Sequence, residues 1–263
     1  MTDQPAVNPY SAPTSQVENV NANGEVVFCE AKKLTAGQGS RMVADAWRIY
    51  KAAPFKWSFI SLVLVALMVA LNSIPLGGSL FSPLIYTPLY AGLLIAASDI
   101  EKGGKLKFSH LFSAVKANGK GVFGLAIMVS IIGVVIAALA FSFLGSELFM
   151  AAYMGQEIDP ETFKMDPANM MIGGIIFIVG MALYTMLSWF ATPLIVLQSK
   201  GVFQAVGMSF KACLKNWLPL TVYGLIMAFW MIVAMIPAGL GWLIMIPLLT
   251  ITVYTSYRKV FTE

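Results

Sequence analysis

The side chains able to do chemistry are few, and they stand outside the long apolar stretches. His110 is the single histidine, with no cysteine or carboxylate cluster at ligand spacing around it. A lone imidazole of that kind reads as an interfacial side chain rather than a metal ligand or general base. Asp99 and Glu101 precede Lys102 and Lys105, where exposed ion pairs worth about 0–1 kcal/mol are expected. Asp45, at helical spacing from Arg41 and Arg48, reads as the same solvated rim. Glu157, Asp159, Glu161 and Asp166 form an acidic cluster whose oxygens would suit Ca²⁺ or Mg²⁺. The spacing of a calcium loop is absent, so a solvated loop is expected. Gly103-Gly104 lies between two lysines and makes a charged turn without the pattern of a phosphate-binding loop. Cys29 and Cys213 belong to no CxxC pattern and are expected to be unpaired thiols. No catalytic, cofactor-binding or metal-ligating set emerges, and the protein is expected not to be an enzyme.

The elements that must position these residues are apolar helices. The chain is 58% hydrophobic and 11% charged, against roughly a quarter charged in a soluble domain. Its mean hydropathy is +0.77. Six stretches free of charged residues and histidine are read as spans: 57–76, 79–98, 121–144, 170–197, 217–236 and 240–257. At 1.5 Å per residue, about 20 residues cross the hydrocarbon core. The fourth stretch is longer and must tilt, kink or project, and the sixth is near the short limit. Continuous apolar runs are helical in lipid, and the alternating pattern of barrel strands is missing. No span carries an ionisable residue, which argues against a proton relay or an intramembrane protease. The expected fold is all-α and integral to the membrane, with six transmembrane helices.

Orientation follows from charge. Of the 17 Lys and Arg residues, all but Lys164 fall on one alternate set of connecting segments. The opposite set holds the acidic 145–169 loop. By the positive-inside rule both termini are cytosolic. That placement accounts for the basic residues and leaves no basic stripe for nucleic acid. Residues 1–40 are polar and rich in Pro and Asn, and are expected as a disordered cytosolic tail, not a signal peptide. Val26-Val27-Phe28 is a short apolar run that could dock on the body. Residues 41–263 form the membrane domain.

Three segments ahead of spans share one helical face, apolar at i, i+3, i+4 and i+7. They are Val43, Ala46, Trp47 and Tyr50; Phe108, Leu111, Phe112 and Val115; and Phe203, Val206, Gly207 and Phe210. Each set is followed by Lys (Lys51, Lys116, Lys211), and the spans begin at Trp57, Val122 and Trp217. Each returning span carries a proline before leucine, at Pro88, Pro193 and Pro247. The reading is a three-fold pseudo-repeat of cytosolic-side amphipathic helix, outward span and returning span, over about 41–101, 106–199 and 202–262. Amphipathic helices with Lys on the rim lie among headgroups, and Trp suits the interfacial belt. Lys51, Lys116, Lys211, Trp57 and Trp217 are therefore candidate lipid contacts. Pro88, Pro193 and Pro247 are candidate kinks. Gly121, Gly124, Gly173, Gly174 and Gly180 would permit close helix approach.

The tail Asn8-Pro9-Tyr10-Ser11-Ala12-Pro13 resembles an N-terminal signature of small bacterial membrane proteins. The run Asp45-Ala46-Trp47-Arg48-Ile49-Tyr50 leading to Pro54 and Trp57, and the ending Tyr254-Thr255-Ser256-Tyr257-Arg258-Lys259-Val260-Phe261, resemble the two ends of an uncharacterised proteobacterial six-span inner-membrane family. The layout is more loosely similar to the membrane domain of glycerophosphoryl diester phosphodiesterases, without any counterpart of the catalytic domain. The resemblance implies a bacterial inner membrane and brings no site residues with it. The expected role is to organise membrane lipid, expected to be anionic, or a membrane protein complex. The alternative is a channel or carrier for a neutral or lipophilic solute, along a path lined by Asn72, Tyr184, Ser188 and Thr192. A membrane enzyme, the remaining possibility, would have to draw on His110, Asp99 or Glu101.

Overall fold

The structure is a computed structural model that describes residues 28–74, 77–154, 156–157 and 166–262. Among them every regular element is helical: α1 (Gln38–Lys51), α2 (Pro54–Asn72), α3 (Gly77–Glu101), a 3₁₀ turn (Phe108–Phe112), α4 (Ser113–Leu144), α5 (Ser146–Met154), α6 (Pro167–Ser188), α7 (Ala191–Gln198), α8 (Val202–Lys215), α9 (Trp217–Met235) and α10 (Trp242–Phe261). Local signals set several starts. Pro54 opens α2 at a position whose N–H would be unpaired anyway. Asp166 accepts from the Ala168 N–H at 3.1 Å, with Pro167 next to it, and starts α6.

Among the described residues, five segments are long and apolar enough to cross a membrane: Pro54–Asn72, Phe81–Glu101, Phe108–Leu144, Pro167–Gln198 and Trp217–Met235. Their outer surfaces would be untenable in water, with Leu225 67% and Ile178 68% exposed. This is a membrane protein. Helix α10, which contains the sixth apolar stretch, is not among the five. Its second half carries Thr252, Tyr254, Thr255, Ser256, Tyr257, Arg258 and Lys259, and nearly all of it is buried by other helices. Polar side chains are tolerated there because protein, not lipid, surrounds them.

The core gathers at the end of the molecule that bears most of the basic residues. Buried positions fall in the first half of α2 (Trp57, Ile60, Ser61, Leu64), the last half of α3 (Leu93, Leu94, Ala97), most of α7 and most of α10. Helix α1 packs on α9 and α10, the 3₁₀ turn on α3, and α8 on α6 and α7. Each short helix therefore rests on a returning helix. Close approach is steric in origin: a Cβ at Gly92 would collide with the His110 and Leu111 carbonyls, which lets the 3₁₀ turn lie against α3. Gly173 and Gly180 do the same for α6 against Leu144 and Ile136 of α4, whereas Gly174 faces open space.

The three short helices join their spans at bent residues. Ala53 (φ −155°, ψ 60°) precedes α2, and Asn118 (φ −155°, ψ 62°) breaks α4. Asn216 (φ −116°, ψ 28°) separates α8 from α9. Asn118 caps the helix beyond its bend by accepting from the Gly121 N–H at 3.1 Å, and donates to the Ile195 carbonyl at 3.2 Å. Helix α3 runs through Pro88 and α10 through Pro247, while the chain breaks between α6 and α7 ahead of Pro193. There Ser209 of α8 enters the ladder. Its hydroxyl donates to the Met186 carbonyl at 2.7 Å and accepts from the Phe190 N–H at 3.0 Å. That insertion, together with the proline, explains why the helix of the long fourth stretch is interrupted here.

Residues 28–36 depart from the expected loose tail. They form a strap across the end of α10, with Cys29 N–H donating to Phe261 O at 2.7 Å and Lys32 N–H to Val260 O at 2.9 Å. Phe28 stacks on Phe261 at 5.8 Å, with Lys200 over its ring. Val26 and Val27 lie outside the described residues.

Candidate functional site

Three features offer themselves as sites. The first is a cavity of about 450 Å³ between α2, α3, α4, α6 and α7, with one wall from α10. It brings together Asn72, Tyr184, Ser188 and Thr192, the four residues expected along a solute path, and adds Ser82, Tyr86, Thr87 and Tyr90. Thr87 and Thr192 each precede a helix proline and are buried. The lining offers hydroxyls and one carboxamide among apolar side chains such as Met68, Leu125 and Val253, and no charge, so it suits an uncharged occupant. Part of that capacity is already used within helices: Ser188 donates to Tyr184 O and Asn72 to Met68 O, both at 2.8 Å.

The second is a groove of about 760 Å³ along α9 and α10, reaching α1. Val43, Trp47, Met227, Trp230, Val233 and Leu248 line it, and polar atoms are almost absent from its surface. The third is a polar pocket of about 320 Å³ at the turn after α3, lined by Asp99, Lys102, Gly104, Lys105, Lys107 and His110. His110 Nδ1 lies 3.0 Å from both the N–H and the carbonyl of Lys107, and its Nε2 is hydrogen-bonded to Asp99 Oδ2 at 3.0 Å. Sequence spacing points to Lys102 or Lys105 as partners of Asp99. The turn brings His110 to it instead.

Glu101 and Asp45 are also engaged over long range. Glu101 accepts from Arg48 at 3.2 Å and from the Tyr254 hydroxyl at 2.7 Å, and pairs with Arg258. Asp45 pairs with the buried Lys259 at 2.7 Å. These links tie α10 to α1 and α3, so Asp45 and Glu101 are not the simple solvated rim that local spacing implies.

The candidate lipid contacts divide. Lys51, Lys116, Lys211 and Trp217 are exposed. Trp57 is not: its ring is fully buried in the core, so it cannot belong to an interfacial belt in this fold. The buried face of α1 is Met42, Ala46, Ile49 and Tyr50, rotated from the expected one, and leaves Trp47 42% exposed. In α8 the buried face is Ala205, Val206, Ser209, Ala212 and Cys213, while Phe203 is 85% exposed. Cys213 is accordingly inert, its thiol pushed up to about 12 by burial. Asn118, Ser209 and Asn216 are structural residues that sequence reasoning misses. Their only signal is a polar residue inside or beside an otherwise apolar helical run.

No protein-family model matches the chain, and neither curated proteins nor solved structures contain a significant match.

Proposed function

We propose that the chain is a non-enzymatic bacterial inner-membrane protein that binds and organises membrane lipid, with both termini cytosolic. The observation that carries this reading is the groove of about 760 Å³ on α9 and α10. At bilayer depth an apolar groove has no partners to offer water, and acyl chains are what fill it. Arg41 and Lys51 are exposed on α1, which stands at the groove's end, and would draw anionic headgroups there. In this reading α10 serves as the sixth span, sheltered by its neighbours.

A three-fold pseudo-repeat accompanies the proposal, in a register set by the bends. Counting from Ala53, Asn118 and Asn216, the residues seven before (Ala46, Leu111, Ser209) and four before (Ile49, Ala114, Ala212) are buried in all three units. So are those seven after (Ile60, Leu125, Tyr223) and eleven after (Leu64, Val129, Met227). This register moves the third unit by three residues relative to the apolar quartet, and sets Leu214 opposite Lys51 and Lys116.

Photoactivatable acyl-chain lipids supply the test, in nanodiscs and with adducts mapped by mass spectrometry. Adducts should concentrate at Val43, Trp47, Trp230 and Val233, and fall when Val233→Trp fills the groove. Adducts spread evenly over the exposed face of α6 would refute the reading.

A carrier for a neutral or lipophilic solute is the second reading, favoured by one observation: Asn72, Tyr184, Ser188 and Thr192 converge on one uncharged cavity. Proteoliposomes that move no solute across a broad panel would remove it.

A further inference from the structure

We infer that the turn from Asp99 to His110 is a binding site for a dianionic phosphate group. Three lysines and one histidine line the pocket of about 320 Å³, against a single carboxylate. That carboxylate is held by His110 Nε2 at 3.0 Å, so its charge is directed toward the imidazole. Among the described residues none of Lys102, Lys105 and Lys107 has an acidic partner. The backbone explains why they converge. Leu106 and Leu111 are both buried to 3% exposure and pin the loop at two points. Lys107 is extended (φ −124°, ψ 147°), and in extended chain alternate side chains share a side. With Leu106 turned inward, Lys105 and Lys107 are left together on the outer side. Gly103 (φ +85°) and the Gly104 N–H bond to Asp99 O at 2.8 Å fold Lys102 back toward them. A net positive pocket of this composition suits a phosphate monoester better than a singly charged diester.

Phe108 and Phe112 stand beside the turn, 50% and 53% exposed. They would enter the acyl boundary while the lysines meet headgroups. The phosphate is thus that of a lipid headgroup or of a soluble anion. The lipid source rests on the proposed lipid-binding function, whereas the chemistry does not.

The experiment uses the full chain in phosphatidylcholine nanodiscs. Inorganic phosphate is titrated calorimetrically, and phosphatidic acid, phosphatidylglycerol and phosphatidylcholine are compared by native mass spectrometry. At about fivefold for each ammonium, K102Q/K105Q/K107Q should weaken binding about a hundredfold, and Lys105→Glu alone by at least about tenfold. Lys33→Gln, at an exposed lysine outside the turn, should change nothing. Selective retention of phosphatidic acid, lost in the triple variant, supports the site with lipid as its source. Binding of inorganic phosphate, likewise lost, supports it with a soluble source. A triple variant that binds as the wild type does, or a wild type that binds neither probe, overturns the inference. Photoadducts in the α9–α10 groove are read in parallel, so failure here leaves the lipid-binding function separately testable.

Discussion

Asn216→Leu should release the strap without unfolding the helices. Asn216 is fully buried, and its side chain accepts from the Leu34 N–H at 2.8 Å and donates to the Lys32 carbonyl at 2.9 Å and the Ala212 carbonyl at 3.0 Å. Leucine keeps the branched four-atom shape and none of the bonds. Two of the three reach the strap, and each is worth about 1 kcal/mol net, with a further penalty for the buried Leu34 N–H left without an acceptor. The strap should therefore open more readily by about 2–3 kcal/mol, or roughly 30–150-fold in population. Cys29 reports on this directly, because its Sγ donates to Phe261 O at 2.9 Å and its backbone is tied to α10. Maleimide labelling, followed peptide by peptide with mass spectrometry, should accelerate at Cys29 by that factor while Cys213 stays slow. Unchanged Cys29 kinetics in a well-folded variant would refute the assignment of Asn216 as the clasp.

Other consequences can be checked separately. With its pKa near 12 instead of 9, Cys213 at pH 8 should hold about a thousandth of the thiolate of a free cysteine. Its labelling rate should keep rising about tenfold per pH unit through about pH 10, and a plateau below that would show an exposed thiol. Ser209→Ala removes both bonds that splice α6 to α8 and should destabilise the protein by about 1–3 kcal/mol, seen as a lower Tm in detergent. Gly180→Leu forces a side chain into Ile136 of α4 and should cost about 1–3 kcal/mol or more, whereas Gly174→Leu, at an open position, should be mild. Thiols engineered at positions 105 and 211 should react from the cytosolic face alone. Periplasmic labelling of either would reverse the topology.

Much of the architecture can be read from short-range pattern. Uncharged runs of about twenty residues mark the crossing helices, because lipid leaves the backbone no partner but itself. Pro54 and Asp166 mark starts through rules confined to one turn. The residues of the cavity are recognisable too, since hydroxyls and a carboxamide are rare within apolar runs. The choice of face is where local pattern fails. Trp57 looks interfacial from its position at a span's start, yet it is buried because α2 presents that side to the core. In α8 only Val206 of the apolar quartet joins the buried face, because two alanines, a serine and a cysteine do much of the packing there.

The chain's own order of residues decided the membrane class, the helical state and the end where the basic residues collect, since each depends on neighbours within a few turns. Which residues meet was settled only by the packed molecule. Asp99 reaches His110 through a turn, while Glu101 meets Tyr254 and Asp45 meets Lys259 across most of the chain. A periodic stripe says that a helix will be covered, but it carries no information about which distant helix covers it.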